Sequence, residues 1–328
     1  MAESDAIPRM GRTRPREFVL LPALAALVIF GAFNNPAFLT YANFANILSA
    51  SAAIGILVLA EAVIILSGSF DLSIESTLAF VPALGALLVI PAVAGGLGTE
   101  WPVWAGFVVM LMVGPAIGLL IGYLIVKVGL NAFIVTLAML IVIRGAQQGI
   151  TNSRTLQYLP TEMQWLGSKG LLGLPWSVWL ASVLFAVAWT VLKYHRVGRA
   201  IYAMGGNLEA ARLSGIAVDR IRLGVFALAG LLAVIAGLAL VGYVGAITPN
   251  LGKDYLFNVF AATVVGGVAL QGGKGSILGA LAGVLLLGIL QNLMVLAQVP
   301  TYWILAVYGV VILLALVSAR ATSGEAQI

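Results

Sequence analysis

The chain has 328 residues, 62% of them hydrophobic and 9% charged, against about 25% charged in soluble domains. This composition excludes an ordinary soluble protein. The 38 Gly and 12 Pro lie among apolar runs, which excludes a polar disordered tract. With no cysteine and one histidine, His195, the chain has no disulfide framework, no thiolate nucleophile and no Cys or multi-His metal site. The mean hydropathy of +1.09 implies an all-α polytopic membrane protein. In such a protein the position of each basic residue says more than the net charge of +5, which therefore does not point to nucleic acid.

Ten apolar windows follow in chain order, at 18–33, 44–66, 74–94, 102–126, 131–150, 174–192, 223–247, 257–270, 276–297 and 301–318. About ten transmembrane helices are expected, the short Gly-rich eighth being the least regular. Residues 1–17 carry Arg9, Arg12, Arg14 and Arg16 like a signal-peptide n-region. No small-residue cleavage site follows Phe33, so the first span is expected to be retained. The expected organisation is a tail at 1–17, a transmembrane unit at 18–318 and a second tail at 319–328. An external loop at 151–173 and an internal loop at 193–222 are long enough to carry function.

With both termini inside, thirteen of the seventeen Lys and Arg fall on inside segments, six of them in 193–222; Arg154, Lys169 and Lys253 fall outside and Arg144 within a span. The positive-inside rule supports this orientation and an even number of crossings. Gly114, Gly118 and Gly122 in the fourth span and Gly275, Gly279 and Gly283 in the ninth form GxxxG rows five spans apart. The offset suits a 5+5 inverted repeat, and equally a chance recurrence of a common membrane-helix pattern.

Ionisable groups inside a bilayer are costly unless paired or hydrated, which makes them candidates for function. Glu61 lies mid-span and suits either solute hydroxyls or a helix-to-helix hydrogen bond. Asp71 lies in SGSFDLSIES, residues 67–76, where Gly68 permits a non-helical backbone and Asp71 and Ser73 are placed to cap the third span. Direct solute contact by Asp71 is the alternative. Arg144 can snorkel or pair with a carboxylate. Asn131, Phe133 and Thr136 place polar groups and a ring at the start of the fifth span, suitable for a polyol, with capping by Asn131 the simpler role.

GGVALQGGKGS, residues 266–276, fails the phosphate-loop pattern, because Val268 and Gly275 occupy its first and last positions. In the internal loop, Gly205 and Gly206 read as a turn and Asn207 as a cap. NLEAARLSGI reads as a short helix stopped near Gly215, shaped for a protein partner beyond the membrane.

GRAIYAMGGNLEAARLSGI resembles the permease subunits of ATP-binding cassette importers for monosaccharides, the ribose, xylose, arabinose and galactoside group. The resemblance extends through FLTYANFANIL, SGSFDLSIES, AFIVTL and VVGGVALQGGKGSILGALAGVLLLGILQN, from about 38 to 318. It implies a bacterial inner-membrane permease that works beside a second copy, identical or not. A cytoplasmic ATPase that uses ATP and Mg and a periplasmic solute-binding protein would complete the importer, with no cofactor on this chain. Glu209, Ala210, Ala211 and Gly215 match the family's E-A-A-x-x-x-G coupling helix, and Arg212 lies within it. Four residues depart from the family pattern: Glu75 stands in place of Gly, Glu61 in place of an uncharged residue, and Leu256 and Asn258 in place of Glu and Asp. The competing expectation is an ion-coupled secondary transporter with Glu61 and Asp71 as coupling groups; an intramembrane enzyme ranks below both, for want of paired catalytic residues.

Overall fold

A computed structural model describes residues 20–323; the basic tail 1–17 and the last residues of the other tail lie outside it. Its helices are α1 (Leu21–Asn34), α2 (Tyr41–Leu66), α3 (Ile74–Val89), α4 (Val103–Val126), α5 (Ala132–Ile150), α6 (Thr161–Gln164), α7 (Trp176–Tyr194), α8 (Arg196–Gly206), α9 (Leu208–Leu213), α10 (Val218–Val244), α11 (Tyr255–Val265), α12 (Ile277–Leu296) and α13 (Thr301–Ser323). Among the described residues the β pairing consists of two isolated bridges, Leu156 with Ile247 and Lys169 with Pro175.

Each apolar window holds one helix, and the ends follow local chemistry. Thr40 caps α2 and Asn131 caps α5, each side chain accepting a backbone N–H three residues on. Pro102 and Pro175 precede α4 and α7, and Gly245 ends α10 at φ 77°. Among the described residues six helices, α2, α4, α5, α7, α10 and α12, are long and apolar enough to cross a membrane. The third window ends early, at Val89, with a single 3-10 turn beyond it. The eighth yields only the 11 residues of α11, because the glycines from Gly266 onward leave the helix. At ~1.5 Å per residue α11 is about 16 Å long, roughly half of a ~30 Å hydrocarbon core.

The long apolar helices α2 and α10 form the centre and bury most of their residues, whereas α4, α5 and α7 keep wide apolar faces exposed. Around this core α4 packs on α10 and α12 on α2; α3 packs on α4 and α5, as α11 packs on α12 and α13; and α3 lies against α10 as α11 lies against α2. The α4 glycines serve close approach: a Cβ on Gly118 would lie 2.0 Å from the Phe226 carbonyl oxygen of α10. The second row meets a different neighbour, with Gly279 and Gly283 against Gly266 and Ala262. Gly275 precedes α12 and is not part of its helical row.

The bundle has two distinct ends. One gathers 67–73, 127–131, 193–217 and 266–276, through Lys127 with Asp219, Arg222 with Ser69 and Gly273 with Leu66. The other gathers the α2 start, 151–175 and 245–254, through Tyr41 with Leu172, Leu156 with Ile247 and Gln147 with Thr248. There 151–173 folds over α10, with Trp165 stacked on Trp176 at 5.4 Å and Gly167 pressed on Gly242.

Candidate functional site

At the first end, α8 and α9 form a two-helix projection. The Asn207 side chain accepts from the Ala210 N–H at 2.8 Å and starts α9, and Gly215 stops it at φ 81°. Glu209, Ala210 and Arg212 are exposed and Leu213 is 84% exposed, while Ala211 alone in α9 is buried. Gly205 and Gly206 are not a turn; they are the last residues of α8. A Cβ on Gly205 would lie 2.0 Å from the Leu66 carbonyl oxygen and 2.3 Å from the Gly273 nitrogen, whereas one on Gly206 would meet nothing within 4 Å. The helix end is thereby seated on the α2 terminus and on the Gly-rich loop that failed the phosphate-loop pattern. Gly68, at φ 79°, completes this seat, its own Cβ position lying 3.4 Å from the Gly205 Cα.

Asp219, in the first turn of α10, accepts from Arg212 at 2.9 Å and from Lys127 at 2.8 Å. It pins the projection to α10 and to the α4–α5 turn. This residue escaped the sequence reading. Its signal was its rarity, since Glu209 and Asp219 are the two acids in the basic stretch 193–222.

Above the glycine seat, Glu61 is fully buried; one carboxylate oxygen faces the Asp71 N–H at 3.3 Å and the other has no partner. Asp71 does not cap α3 in the expected way. Its Oδ1 accepts from the Ser73 N–H at 2.9 Å and from the Ser73 hydroxyl at 2.5 Å, making a closed turn before the helix. Ser73 itself makes no side-chain cap; its carbonyl oxygen takes the Ser76 and Thr77 hydroxyls.

Arg144 pairs rather than snorkels. Its guanidinium reaches Glu75 Oε1 at 3.2 Å and the Leu251 carbonyl oxygen at 2.9 Å, and Glu75 Oε2 takes the Leu256 N–H at 3.0 Å. One ion pair thus ties α3, α5 and the start of α11. Glu75 and Leu256, two residues singled out in the sequence, are therefore neighbours. Gln147 joins this cluster by accepting from Arg144 at 3.4 Å while it donates to the Thr248 carbonyl oxygen at 3.1 Å, and it was missed, since one amide on an apolar helix is a weak signal. Asn131 caps α5, and the Thr136 hydroxyl is turned back on the Ala132 carbonyl oxygen at 2.8 Å. Phe133 is 55% exposed on the open face of α5. Among the described residues no group of His, Cys, Asp and Glu suits a metal ion.

Residues 43–316 match the family described as "Branched-chain amino acid transport system / permease component". The chain is 38% identical over 299 residues to the ribose import permease protein of Escherichia coli, covering 90% of this chain and 91% of that protein. It is 34% identical over 307 residues to the ribose import permease protein of Haemophilus influenzae, covering 92% of each. It is 31% identical over 360 residues to the xylose transport system permease protein of Escherichia coli, covering 91% of this chain and 90% of that protein. No solved structure matches it. These relatives are transport permeases, not enzymes. A multi-pass helical bundle with this projection, matched over most of its length, belongs to the branched-chain amino acid transport system permease component family.

Proposed function

We propose that the chain is the membrane-spanning subunit of an ATP-binding cassette importer for a monosaccharide. It takes its solute from a periplasmic binding protein and is driven by a separate ATPase that uses ATP and Mg. The observation that carries this reading is α9, an exposed short helix joined to the bundle through the close approach at Gly205 and the ion pairs of Asp219. A carrier driven by an ion gradient has no use for such a dock, and the ribose and xylose permeases lend the substrate class. Glu209, Ala210, Ala211, Arg212 and Gly215 are read as the docking element, with Gly205, Gly206 and Asn207 as its mount. Closure of the ATPase would draw α9 and the attached ends of α2 and α10 together, re-aiming the spans.

The inside is assigned to the α8–α9 end. Among the described residues that end carries Lys127, Lys193, Arg196, Arg199, Arg212, Arg220, Arg222 and Lys274, against Arg154, Lys169 and Lys253 at the other. With α1, α3 and α11 counted as shorter crossings and α13 as a further one, ten spans put both termini on the cytoplasmic side of a bacterial inner membrane. The matched packing of α2–α5 and α10–α13 supports an inverted repeat in which α3 and α11 are equivalent shortened elements. A second copy, identical or not, is placed against the open face of α5, where Phe133, Leu137 and Ile141 are exposed. The solute path then runs between copies. Asn131 and Phe133 border it, while Glu61, Asp71, Ser73, Thr136 and Arg144 hold its wall in shape.

The test is purification of the tagged chain from its host. A phosphate-loop ATPase is expected to accompany it, and Glu209→Lys is expected to lose that ATPase and all uptake while inserting and folding normally. Uptake that survives Glu209→Lys, or that follows the proton gradient without ATP, would replace this reading with the ion-coupled carrier.

A further inference from the structure

A cavity of about 340 Å³ lies inside the single chain, between α2, α10, α11, α12 and α13. It occupies the half of the bundle away from the projection: Ser51 is in the first half of α2, Asn258 in the first turn of α11, Gln291 and Asn292 near the end of α12. Its polar lining is made of amides and hydroxyls, with Tyr243 and Tyr308 adding aromatic faces, and it has no Asp, Glu, Lys, Arg or His. Ile54, Val284 and Leu287 supply an apolar wall. Part of the polar lining is fixed by protein bonds: Asn292 and Asn43 exchange two amide hydrogen bonds, at 3.0 and 2.8 Å, and Tyr308 donates to Gln291 at 3.1 Å. Asn258 stands apart, because its carbonyl oxygen is buried with no hydrogen-bond partner.

A buried acceptor without a partner costs about 1–3 kcal/mol, which makes it a place for a ligand's donor. A lining that is polar but carries no formal charge would leave the charges of an amino acid zwitterion or a sugar acid unpaired. It suits a solute with several neutral donors and acceptors around an apolar face. The volume is at the small end of ligand pockets, which run from about 300 Å³ upward. We infer that each chain holds its own binding site for one neutral pentose or hexose in this cavity, apart from the path between copies. The inference rests on the importer reading, adds a place to it and restricts the sugar to an uncharged one.

The absence of native cysteine allows a direct test. Uptake of labelled D-ribose, D-xylose, L-arabinose and D-galactose is first compared in host cells with and without the gene. If none depends on the chain, the monosaccharide-importer reading fails and this site falls with it. The transported sugar then becomes the probe. In vesicles from the host carrying the whole importer, Asn258→Cys and Ser51→Cys each supply one thiol in the cavity, and Arg154→Cys supplies one at an exposed position of the segment 151–173. With sugar at about ten times its Kd, modification by a small methanethiosulfonate is expected to slow about tenfold at both cavity positions and to stay unchanged at 154. Asn258→Leu is expected to weaken sugar binding about tenfold, so that at the same sugar concentration protection of the position-51 thiol falls to about twofold. Unprotected thiols at both positions, for a sugar that the chain demonstrably moves, would overturn the cavity site and leave the importer reading standing.

Discussion

Arg144 and Glu75 are 69 positions apart and meet deep in the bundle, their side chains only 15% and 9% exposed. Removing one partner of such a pair leaves a buried charge without compensation and costs about 3–5 kcal/mol. Glu75→Gly is therefore expected to lower the Tm in detergent markedly. Adding Leu256→Glu, which offers Arg144 a carboxylate from the other side of the contact, is expected to return much of that loss. A double variant no more stable than Glu75→Gly alone would show that the two positions do not share one carboxylate. Each charge was conspicuous in the sequence because charge inside an apolar run is rare. Their partnership was not legible, because it depends on how α3, α5 and α11 pack.

At the scale of elements, the apolar windows found the helices because burial in lipid or protein demands continuous hydrophobicity. Their ends and roles depended on finer chemistry. The seat of α8 is one such case, since two adjacent glycines of identical local sequence character differ completely in surroundings. Gly205→Ala is expected to force α8 off the α2 terminus and to cut uptake more than tenfold, whereas Gly206→Ala is expected to leave it within about twofold. Uptake assays normalised to membrane content distinguish the two, and equal tolerance of both substitutions would mean that the seat transmits nothing. The rejected phosphate loop finds its use here, as a glycine surface thin enough to let α8 and α2 touch.

At the scale of the molecule, the two ends differ in charge, and the chain's lack of cysteine makes the difference measurable. In intact cells, Arg154→Cys and Lys253→Cys are expected to react with an impermeant thiol reagent, whereas Arg199→Cys is expected to react only after the membrane is opened. Labelling of the position-199 thiol in sealed cells would invert the assigned topology. The residue sequence by itself determined the solvent the protein lives in, the succession of apolar helices, the basic end and the form of α9, because these follow from local hydropathy, caps and charge. Tertiary structure alone decided that Glu75 answers Arg144, that Asp219 anchors the projection, that α11 covers only half a bilayer, and that polar side chains from five helices line one cavity. Each of these is a meeting of residues distant in sequence, and a meeting is set by the packing of whole helices, which no local pattern encodes.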